Sequence, residues 1–543
     1  MKLNSEGVKD RAAFQDKGYV LYDFDREEMI NATRREPEWV HFGAGNIFRA
    51  FHANIAQRLL NSGIMKTGII VVEGFDYEII EKMYRPHDDL SILVTLKNGE
   101  EGSGKGAIEK TVIGSIAESC ILDSENKAEY DRLKEIFRAP SLKLATFTIT
   151  EKGYNLKDAK GGYLKDVAAD LENGPEKPAS YIGKVAALLY ERYLGGGAPI
   201  AMVSTDNCSH NGDRLREAVC AFAEGWTENG RAEKGFLDYI NDPSRVSFPW
   251  SMIDKITPRP DSSVEELLKA DSIDGLENVI TSRKTWVAPF VNAEECEYLV
   301  IEDDFPGGRP ELSKAGVIFT DRETVDKVER MKVCTCLNPL HTALAVYGCL
   351  LSYEKIADEM KDEDLKKLVT RLGYTEGLVV VTDPGVIDPK EFIDACVNVR
   401  IPNPFMPDTP QRIATDTSQK LPIRFGETIK NYIKKGMDTK ELTAIPLVFA
   451  GWLRYLMAVD DEGNAFELSP DPLLSEVTSF VKDIKLGECT KEEAEKAVSG
   501  LLKDKRIFGV DLYEAGLSEK VLTYFSELIK GRGAVRAVLE KYL

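Results

Sequence analysis

The stretch between residues 39 and 76 constrains the fold of this chain more than any other, because it pairs a glycine-rich turn with two apolar strands. The run Trp39-Val-His-Phe42 predicts a short buried strand, and Gly43-Ala-Gly45 follows it directly. Residues 53–60 have the apolar spacing of a helix, and residues 68–73 predict a second strand that ends in an acid. Strand, Gly-x-Gly turn, helix, strand and acid are the parts of a dinucleotide-binding βαβ unit, in their usual order. We therefore expect an α/β domain built on a doubly wound parallel sheet.

The glycines and acids of this stretch have specific roles in the predicted cofactor site. Gly43 makes the tight turn, and Gly45 lets the backbone approach a pyrophosphate at the amino terminus of the helix. Glu73, with Asp76 as second choice, would bind the adenosine ribose hydroxyls, and a carboxylate there favours NAD over NADP. The third glycine of the usual pattern is Phe48 here, and the acid comes some residues late. The predicted cofactor-binding residues are Gly43, Gly45, Asn46, Ile47, Glu73 and Asp76.

Two later apolar strands also end in polar residues. Residues 142–149 lead into Thr150-Glu-Lys-Gly-Tyr154, and residues 199–204 lead into Thr205-Asp-Asn207. A doubly wound sheet binds its ligand at the carboxyl ends of its strands, so these residues are expected near the site. A plain β-turn is the alternative explanation for the first of them.

The second half of the chain changes to a helical pattern. The loop Pro306-Gly-Gly-Arg-Pro310 precedes this change. Long apolar-periodic helices are predicted over 323–352, 354–372, 388–400, 411–435 and 438–459, with several more up to the end of the chain. We predict a Rossmann-type domain over residues 1–320, with a leader helix and loop over 1–37, and a mainly α-helical domain over residues 321–543.

The helical half contains a short polar cluster in an apolar run, Lys332-Val-Cys-Thr-Cys-Leu-Asn338-Pro-Leu-His341. A lysine with an asparagine and a histidine close by suits proton transfer to or from a substrate hydroxyl, because the amine is the acid/base and the neutral polar groups hold the oxygen. The alternative is a core helix with three polar residues at its solvated edge. The nucleotide-binding turn earlier in the chain favours the catalytic interpretation.

Composition excludes several classes of protein. The net charge of −20 argues against a nucleic-acid or anionic-membrane surface, since both require clustered Lys and Arg. The N-terminus has no signal-like apolar core, and no stretch reaches the roughly 20 uninterrupted apolar residues of a membrane helix. Nine scattered cysteines and five histidines predict reduced thiols in a cytoplasmic protein and no metal site.

Several separated stretches carry a resemblance that covers the chain from residue 39 to its C-terminus. They are FGAGNIFRAFHA, TITEKGY, STDNCSHNGD, SMIDKITPRPD, LVIEDDFPGGRP, LNPLHTAL and RIPNPFMPDTPQRIATDTSQKLPIRF. In this order and spacing the chain resembles the mannitol dehydrogenase family, the polyol-specific long-chain dehydrogenases. The resemblance implies an N-terminal Rossmann-type domain, a helical C-terminal domain and an active site in the cleft between them. It also implies metal-free interconversion of a secondary alcohol and a ketone, in which the nicotinamide exchanges the hydride and a lysine exchanges the proton.

The resemblance also assigns roles to individual residues. Lys332 is similar to the acid/base of the family, and Asn338 and His341 are similar to the groups that bind and orient the reacting oxygen. The implied substrate-binding residues are Asn207 and Asp254 at the border of the site, and Arg400 and Lys420 as contacts to substrate hydroxyls or to a carboxylate.

The spacing of the polar cluster departs from the family pattern. The interval from Lys332 to Asn338 is one residue longer than in the family, and Pro339 follows the asparagine. At about 100° per residue, an ideal helix would place Lys332 and His341 on opposite faces. We therefore expect a π-bulge or a break near Asn338 that absorbs the extra residue.

The expected function is that of an NAD-dependent reductase of a keto-sugar acid, with D-fructuronate and NADH converted to D-mannonate and NAD. The length of the chain favours this substrate, and so does the retention of Arg400 and Lys420 in an acidic protein. Tagaturonate reductase and mannitol 2-dehydrogenase are the alternatives within the family. A non-catalytic NAD-binding sensor is the alternative from a different class, and a Rossmann methyltransferase is disfavoured by the polar cluster of the helical half.

Overall fold

The computed structural model describes residues 1–97, 107–260 and 262–543. They form two compact units, the first made of Met1–Lys97 with Ala107–Asp326 and the second of Lys327–Leu543. Asp261, the last residue of the SMIDKITPRPD stretch, lies outside the described residues.

A six-stranded sheet forms the centre of the first unit. Its strands in chain order are Trp39–Phe42 (β1), Ile69–Glu73 (β2), Ile116–Ile121 (β3), Leu144–Phe147 (β4), Ile200–Ser204 (β5) and Val246–Ser247 (β6). They lie side by side in the order β3-β2-β1-β4-β5-β6, and every neighbouring pair is parallel. This is the order of a Rossmann sheet, in which the chain reverses direction across the sheet between β1 and β4. The predicted doubly wound α/β fold is confirmed.

Alternating side chains of these strands build two separate cores, one on each face of the sheet. Val40 and Phe42 belong to one core, whereas Trp39 belongs to the other. Ile70 and Val71 of β2 divide in the same way. Successive strand residues point to opposite faces, so strands that are covered on both sides must be apolar throughout. The α-helices of this unit are Arg11–Asp16, Arg26–Arg35, Ala53–Asn61, Lys127–Arg138, Lys165–Asn173, Tyr181–Leu194, Asn211–Glu228, Lys234–Asn241 and Ser262–Ala270.

Within the described part of the chain, three smaller sheets complete the first unit. A four-stranded sheet has the order Tyr19–Val20, Ala107–Ile113, Ser91–Lys97 and Phe290–Glu294, and a three-stranded sheet has the order Ser251–Asp254, Tyr298–Glu302 and Ile318–Thr320. The third is a hairpin of Val279–Ile280 and Trp286–Val287.

Two details of the first unit differ from the sequence expectation. The leader was expected to contain only a helix and a loop, but its residues Tyr19–Val20 pair in parallel with Lys110 and Thr111. The apolar pattern of residues 110–116 predicts one continuous strand, but the structure ends one strand at Ile113 and begins the next at Ile116. Gly114 lies in this break, and the Tyr22 ring packs so closely against it that a Cβ atom there would lie 2.4 Å from the ring.

The second unit is helical, as predicted. Its α-helices are Arg322–Met331, Asn338–Leu350, Ile356–Glu359, Glu363–Thr370, Pro389–Ala395, Pro410–Ile413, Thr417–Leu421, Glu427–Lys434, Ala444–Tyr455, Leu474–Thr478, Lys491–Leu502, Lys505–Phe508, Ser518–Leu528 and Ala534–Tyr542, the first of which starts within the first unit. Wider π-helical turns interrupt or extend them at Lys332–Cys336, Arg371–Gly377, Cys396–Arg400 and Pro422–Gly426. Among the described residues, the stretch Arg322–Leu350 has the length and apolar composition of a membrane span, and 83% of its most apolar part is buried inside the protein.

Two buried carboxylates of the second unit have contrasting environments. Glu376 accepts hydrogen bonds from the backbone N–H groups that begin the helix Ala444–Tyr455. Glu359 is fully buried, and neither of its carboxylate oxygens has a hydrogen-bond partner among the described residues. It lies against bare backbone, because a Cβ atom on Gly348 would be 2.1 Å from Glu359 Oε1. Burial raises the pKa of Glu359 well above its ordinary value.

We expect Glu359→Gln to reduce the loss of stability that the protein shows as the pH rises. Above the ordinary pKa of a glutamate, the unfolded chain has lost this proton while the folded chain keeps it, so the free energy of unfolding falls by about 1.4 kcal/mol per pH unit until the folded carboxyl ionises. A glutamine does not titrate. The difference in melting temperature between variant and wild type should therefore increase from about pH 5 to about pH 8. The exposed Glu363→Gln is the control, and identical pH profiles for Glu359→Gln and wild type would refute the prediction.

Candidate functional site

A cavity of about 510 Å³ opens at the carboxyl ends of β1, β2 and β4 in the first unit. Four of the predicted cofactor-binding residues line it, namely Gly43, Gly45, Glu73 and Asp76. The other two, Asn46 and Ile47, do not line this cavity, although both are half-buried in the same turn. The position matches the crevice in which an open α/β sheet binds its ligand, at the point where the strand order reverses.

The two glycines of the turn serve different purposes. Gly43 has a φ of +110°, and a Cβ atom there would lie 2.2 Å from the carbonyl oxygen of Thr148, so the turn itself requires a glycine. A Cβ atom on Gly45 would meet nothing within 4 Å, although this residue also lines the cavity. The space above Gly45 is therefore available to a ligand, which is the arrangement that a pyrophosphate approaching the backbone needs.

A buried polar network holds the strands beneath this turn. The Trp39 indole N–H donates to Thr146 Oγ1 at 2.8 Å. His41 bridges Thr146 Oγ1 at 2.7 Å and Thr148 Oγ1 at 2.9 Å. Burial lowers the pKa of His41, so the imidazole is neutral. In the sequence, His41 is simply one residue of an apolar strand. Its hydrogen bonds to Thr146 and Thr148 could not be predicted, because they depend on which strand lies next to it.

Glu73 fixes the end of β2 to the glycine-rich turn. Its carboxylate accepts hydrogen bonds from the backbone N–H of Ala44 at 2.9 Å, Phe75 at 2.8 Å and Asp76 at 3.0 Å. A carboxylate has about four lone-pair positions, so one remains for a ribose hydroxyl. Asp76 is also buried and accepts a hydrogen bond from Thr281 Oγ1 at 2.6 Å. Both acids line the cavity, and their role towards the ribose stays a prediction.

Three further residues belong to this cavity or support it, and of these the sequence did not single out Tyr181, whereas Thr150 and Asp206 lie in the polar strand ends expected near the site. The Tyr181 hydroxyl is buried and has no hydrogen-bond partner among the described residues, and its ring lines the cavity. Thr150 has a φ of +66°, which a β-branched residue rarely adopts and which is often found at functional sites. Asp206 holds it there, because its carboxylate accepts the backbone N–H of Ile149 at 3.0 Å and of Thr150 at 2.8 Å. The cavity therefore fits a dinucleotide, with open backbone at Gly45 and an unused hydroxyl at Tyr181.

Asn207 and Asp254, both predicted at the border of the substrate site, are linked through Asn211. Asn207 is exposed and follows β5, whereas Asp254 is buried at the end of the strand Ser251–Asp254. The Asn211 side chain donates to the carbonyl oxygens of Asp206 and Ser251, both at 3.0 Å. It thereby joins the segment that carries Asn207 to the strand that carries Asp254.

Lys332 begins a π-helical turn in the second unit, which we call the Lys332 turn (Lys332–Cys336). The N–H of Leu337 donates to the carbonyl oxygen of Lys332 at 3.1 Å, five residues back, and a regular α-helix resumes at Asn338. This is the expected bulge and break, and it absorbs the extra residue of the interval. On an ideal helix, removing one residue from the path would change the angle between Lys332 and His341 from about 180° to about 80°, which is the change needed to bring them from opposite to adjacent faces.

The helix Asn338–Leu350, called the Asn338 helix below, carries the other two predicted catalytic residues at its start. Asn338 and His341 are half-buried, and Lys332 is 4% exposed. The π-helical turn Pro422–Gly426, called the Arg424 turn, packs against both the Lys332 turn and the Asn338 helix. Arg424 Nη1 donates to the Asn338 carbonyl oxygen at 3.4 Å and to Thr342 Oγ1. Sequence reasoning did not select Arg424, which lies in the same stretch as Lys420.

The two predicted cationic substrate contacts lie in different surroundings. Arg400 is buried at the end of the π-helical turn Cys396–Arg400. Lys420 is half-buried in the short helix Thr417–Leu421, and its Nζ donates to the carbonyl oxygen of Ile413 at 2.9 Å. Burial and then the nearby Arg424 lower the pKa of Lys420 to about 8. Among the described residues, no group of three or more His, Cys, Asp or Glu side chains is arranged to hold a metal ion.

A parallel sheet of this order with an open glycine turn at its carboxyl edge, followed by a helical unit with a Lys-Asn-His set, defines a Rossmann-type dinucleotide-dependent oxidoreductase. A mannitol dehydrogenase Rossmann domain matches residues 37–314, and a mannitol dehydrogenase C-terminal domain matches residues 324–529. The chain therefore belongs to the mannitol dehydrogenase family.

Individual relatives cover the whole chain. The D-mannonate oxidoreductase of Thermotoga maritima is 52% identical to it over 544 residues, which cover 100% of this chain and 99% of that protein. Among solved structures, D-sorbitol dehydrogenase in substrate-free form has a TM-score of 0.78 at 24% identity and covers 99% of this chain and 100% of that chain. Mannitol 2-dehydrogenase of Pseudomonas fluorescens, in a ternary complex with NAD and D-mannitol, has a TM-score of 0.67 at 26% identity. The match covers 100% of this chain and 99% of that chain. The predicted family, fold and enzyme class are confirmed.

Proposed function

We propose that this protein reduces D-fructuronate with NADH to D-mannonate, and catalyses the reverse oxidation. The observation that carries the proposal is the full-length similarity to a D-mannonate oxidoreductase, at 52% identity. The residues of the two units are consistent with it, because the first provides a dinucleotide cavity and the second a lysine beside neutral polar groups. We further propose that the functional border between the two domains lies near residue 320, and that the enzyme is cytoplasmic.

The chemistry of the reduction assigns a task to each predicted catalytic residue. Bound NADH supplies the hydride to the ketone carbon. Lys332 donates a proton to the ketone oxygen, and Asn338 and His341 hold that oxygen by hydrogen bonds while negative charge develops on it. The Asn338 carboxamide makes no hydrogen bond to another described residue and so keeps its donors for the substrate. Asn207, Asp254, Arg400 and Lys420 are proposed to bind the remaining substrate groups.

The cofactor site is proposed to select NAD through its acids. Gly43 and Gly45 would admit the pyrophosphate, and Glu73 or Asp76 would accept the ribose hydroxyls. A 2′-phosphate would lie against these carboxylates, and repulsion would weaken its binding. Asn46 and Ile47 would contact the dinucleotide from the beginning of the helix.

Two members of the same family remain alternatives, because a tagaturonate reductase or a mannitol 2-dehydrogenase would use the same groups at the reacting carbon. A substrate panel separates them. We expect NADH oxidation to be fastest with D-fructuronate, at least about tenfold slower with D-tagaturonate and D-fructose, and slower with NADPH than with NADH for each substrate. Equal rates with D-fructose and D-fructuronate would contradict the proposed substrate, and equal kcat/KM for NADH and NADPH would contradict the role of the acids. No turnover of any substrate, with NADH still bound, would favour the sensor alternative.

A further inference from the structure

Arg424 is a cation without an acidic partner, placed beside the predicted catalytic helix. Its Nη1 donates to two neutral oxygens, the Asn338 carbonyl and Thr342 Oγ1. Its Nε and Nη2 make no hydrogen bond to any described residue, and no ion pair joins it to a described carboxylate. Burial alone lowers the pKa of Arg424 to about 10. A partly buried guanidinium that only neutral groups contact is unfavourable for the folded protein, unless a ligand supplies the missing negative charge.

A second cation lies one helical turn away. Lys420 and Arg424 are four residues apart on consecutive helical segments, a spacing that puts two like charges on neighbouring positions of one face. Within the described residues, the Lys420 amine donates one hydrogen bond, to the Ile413 carbonyl oxygen. Burial and the neighbouring Arg424 and Arg412 disfavour the charged form of Lys420, and together they outweigh the opposite effect of Asp416 and Asp471. The pair therefore forms a site of positive charge that nearby carboxylates compensate only in part, in a protein whose net charge is −20.

Arg424 lies close to the residues that are predicted to bind the reacting oxygen. The Arg424 turn packs on the Lys332 turn and on the Asn338 helix, and Arg424 contacts the first turn of that helix directly. A substrate whose carbonyl oxygen is held by Asn338 and His341 would therefore have its distant end within reach of a cation from the same unit. The free edge of a guanidinium, Nε with Nη2, matches the two oxygens of a carboxylate in a bidentate pair.

We propose that Arg424, supported by Lys420, is the group that binds the carboxylate of a keto-sugar acid and thereby makes the enzyme specific for uronates over neutral ketoses. This inference rests on the proposed function, because it names the part of the substrate that the function requires the enzyme to recognise. A site built to bind a charged group rejects an analogue that lacks it, since its own charges are then left unpaired.

The test compares two substrates that share the reacting ketone and differ at the other end, D-fructuronate and D-fructose. We expect Arg424→Met to lower kcat/KM for D-fructuronate about 100-fold, mainly through KM, and to change kcat/KM for D-fructose by less than about threefold. Arg424→Lys keeps the charge but loses the bidentate fork, so its loss for D-fructuronate should be smaller, about tenfold. Arg532→Met, which removes an exposed arginine of the same unit that lies outside the stretch of Lys420 and Arg424, is the matched control and should behave as wild type.

The outcomes separate this inference from the proposed function. A wild-type enzyme that prefers D-fructuronate, together with an Arg424→Met variant that has lost the preference, supports both. The proposed function fails if the wild type itself shows no preference for D-fructuronate. The role of Arg424 alone fails if the wild type has the preference and Arg424→Met keeps the same ratio between the two substrates, because an arginine that merely holds the Asn338 helix would affect both equally. If Arg424→Met does not fold, as judged by its melting temperature, the ratio measured with Arg424→Lys decides in the same way.

Discussion

Lys332→Ala is expected to lower kcat for D-fructuronate reduction by about 1,000-fold while the affinity for NADH is unchanged. A positioned acid/base contributes typically about 100-fold to 10,000-fold to such a step. Lys332 lies in the second unit, whereas every described residue that lines the dinucleotide cavity belongs to the first. The variant should therefore lose turnover without losing NADH binding. Steady-state kinetics measures kcat, and quenching of protein fluorescence by NADH measures binding.

Two further variants distinguish proton transfer from structural damage. Lys332→Met keeps the length and the apolar stem of the side chain, and we expect it to be as inactive as Lys332→Ala. A small primary amine added to the buffer should restore part of the activity of Lys332→Ala, because the amine enters the space that the side chain has left, but none of the activity of Lys332→Met. Lys366→Ala removes an exposed lysine of the same unit and is the control. Retention of a tenth or more of the wild-type kcat by Lys332→Ala would refute the assignment.

The sequence predicts best those elements whose pattern is local. The strand β1 has the predicted ends, and the helix predicted over residues 53–60 is Ala53–Asn61, because a continuous apolar run and a periodic segment each determine their own conformation. The irregular interval between Lys332 and Asn338 predicts a bulge for the same reason, since helical geometry alone shows that one residue is surplus. The structure has that bulge at the Lys332 turn.

What the sequence does not predict depends on contacts between distant parts of the chain. Arg424 and Asn338 are 86 residues apart, and nothing in the stretch SQKLPIRF shows which helix the arginine contacts. Glu73 is predictable as an acid at a strand end, but its hydrogen bonds to the turn are not, because they require the pairing of β1 with β2. The unusual backbone of Thr150 likewise exists because Asp206, which follows a different strand, holds it. Local chemistry therefore identifies candidates, and tertiary packing decides their partners.

The second large effect is expected at the glycine-rich turn, where Gly43 and Gly45 have different surroundings. We expect Gly43→Ala to abolish measurable NADH binding and to lower the melting temperature by about 5 °C or more, because the methyl group would collide with the Thr148 carbonyl at 2.2 Å. The positive φ of +110° adds about 1 to 3 kcal/mol of backbone strain. Gly63→Ala is the matched control, since Gly63 has a φ of +70° with no atom within 4 Å of a Cβ. It reports the cost of the backbone conformation without a collision.

Gly45→Ala should separate folding from cofactor binding. Nothing lies within 4 Å of a Cβ at this position, so we expect a melting temperature within about 1 °C of wild type. The same methyl group would project into the dinucleotide cavity, where the pyrophosphate is proposed to approach the backbone, and should weaken NADH binding at least tenfold, or about 1.4 kcal/mol. Calorimetry and an NADH titration of both variants test this. If Gly45→Ala bound NADH as tightly as wild type, the pyrophosphate would have to bind elsewhere in the cavity, and the assignment of this turn to the cofactor would be wrong.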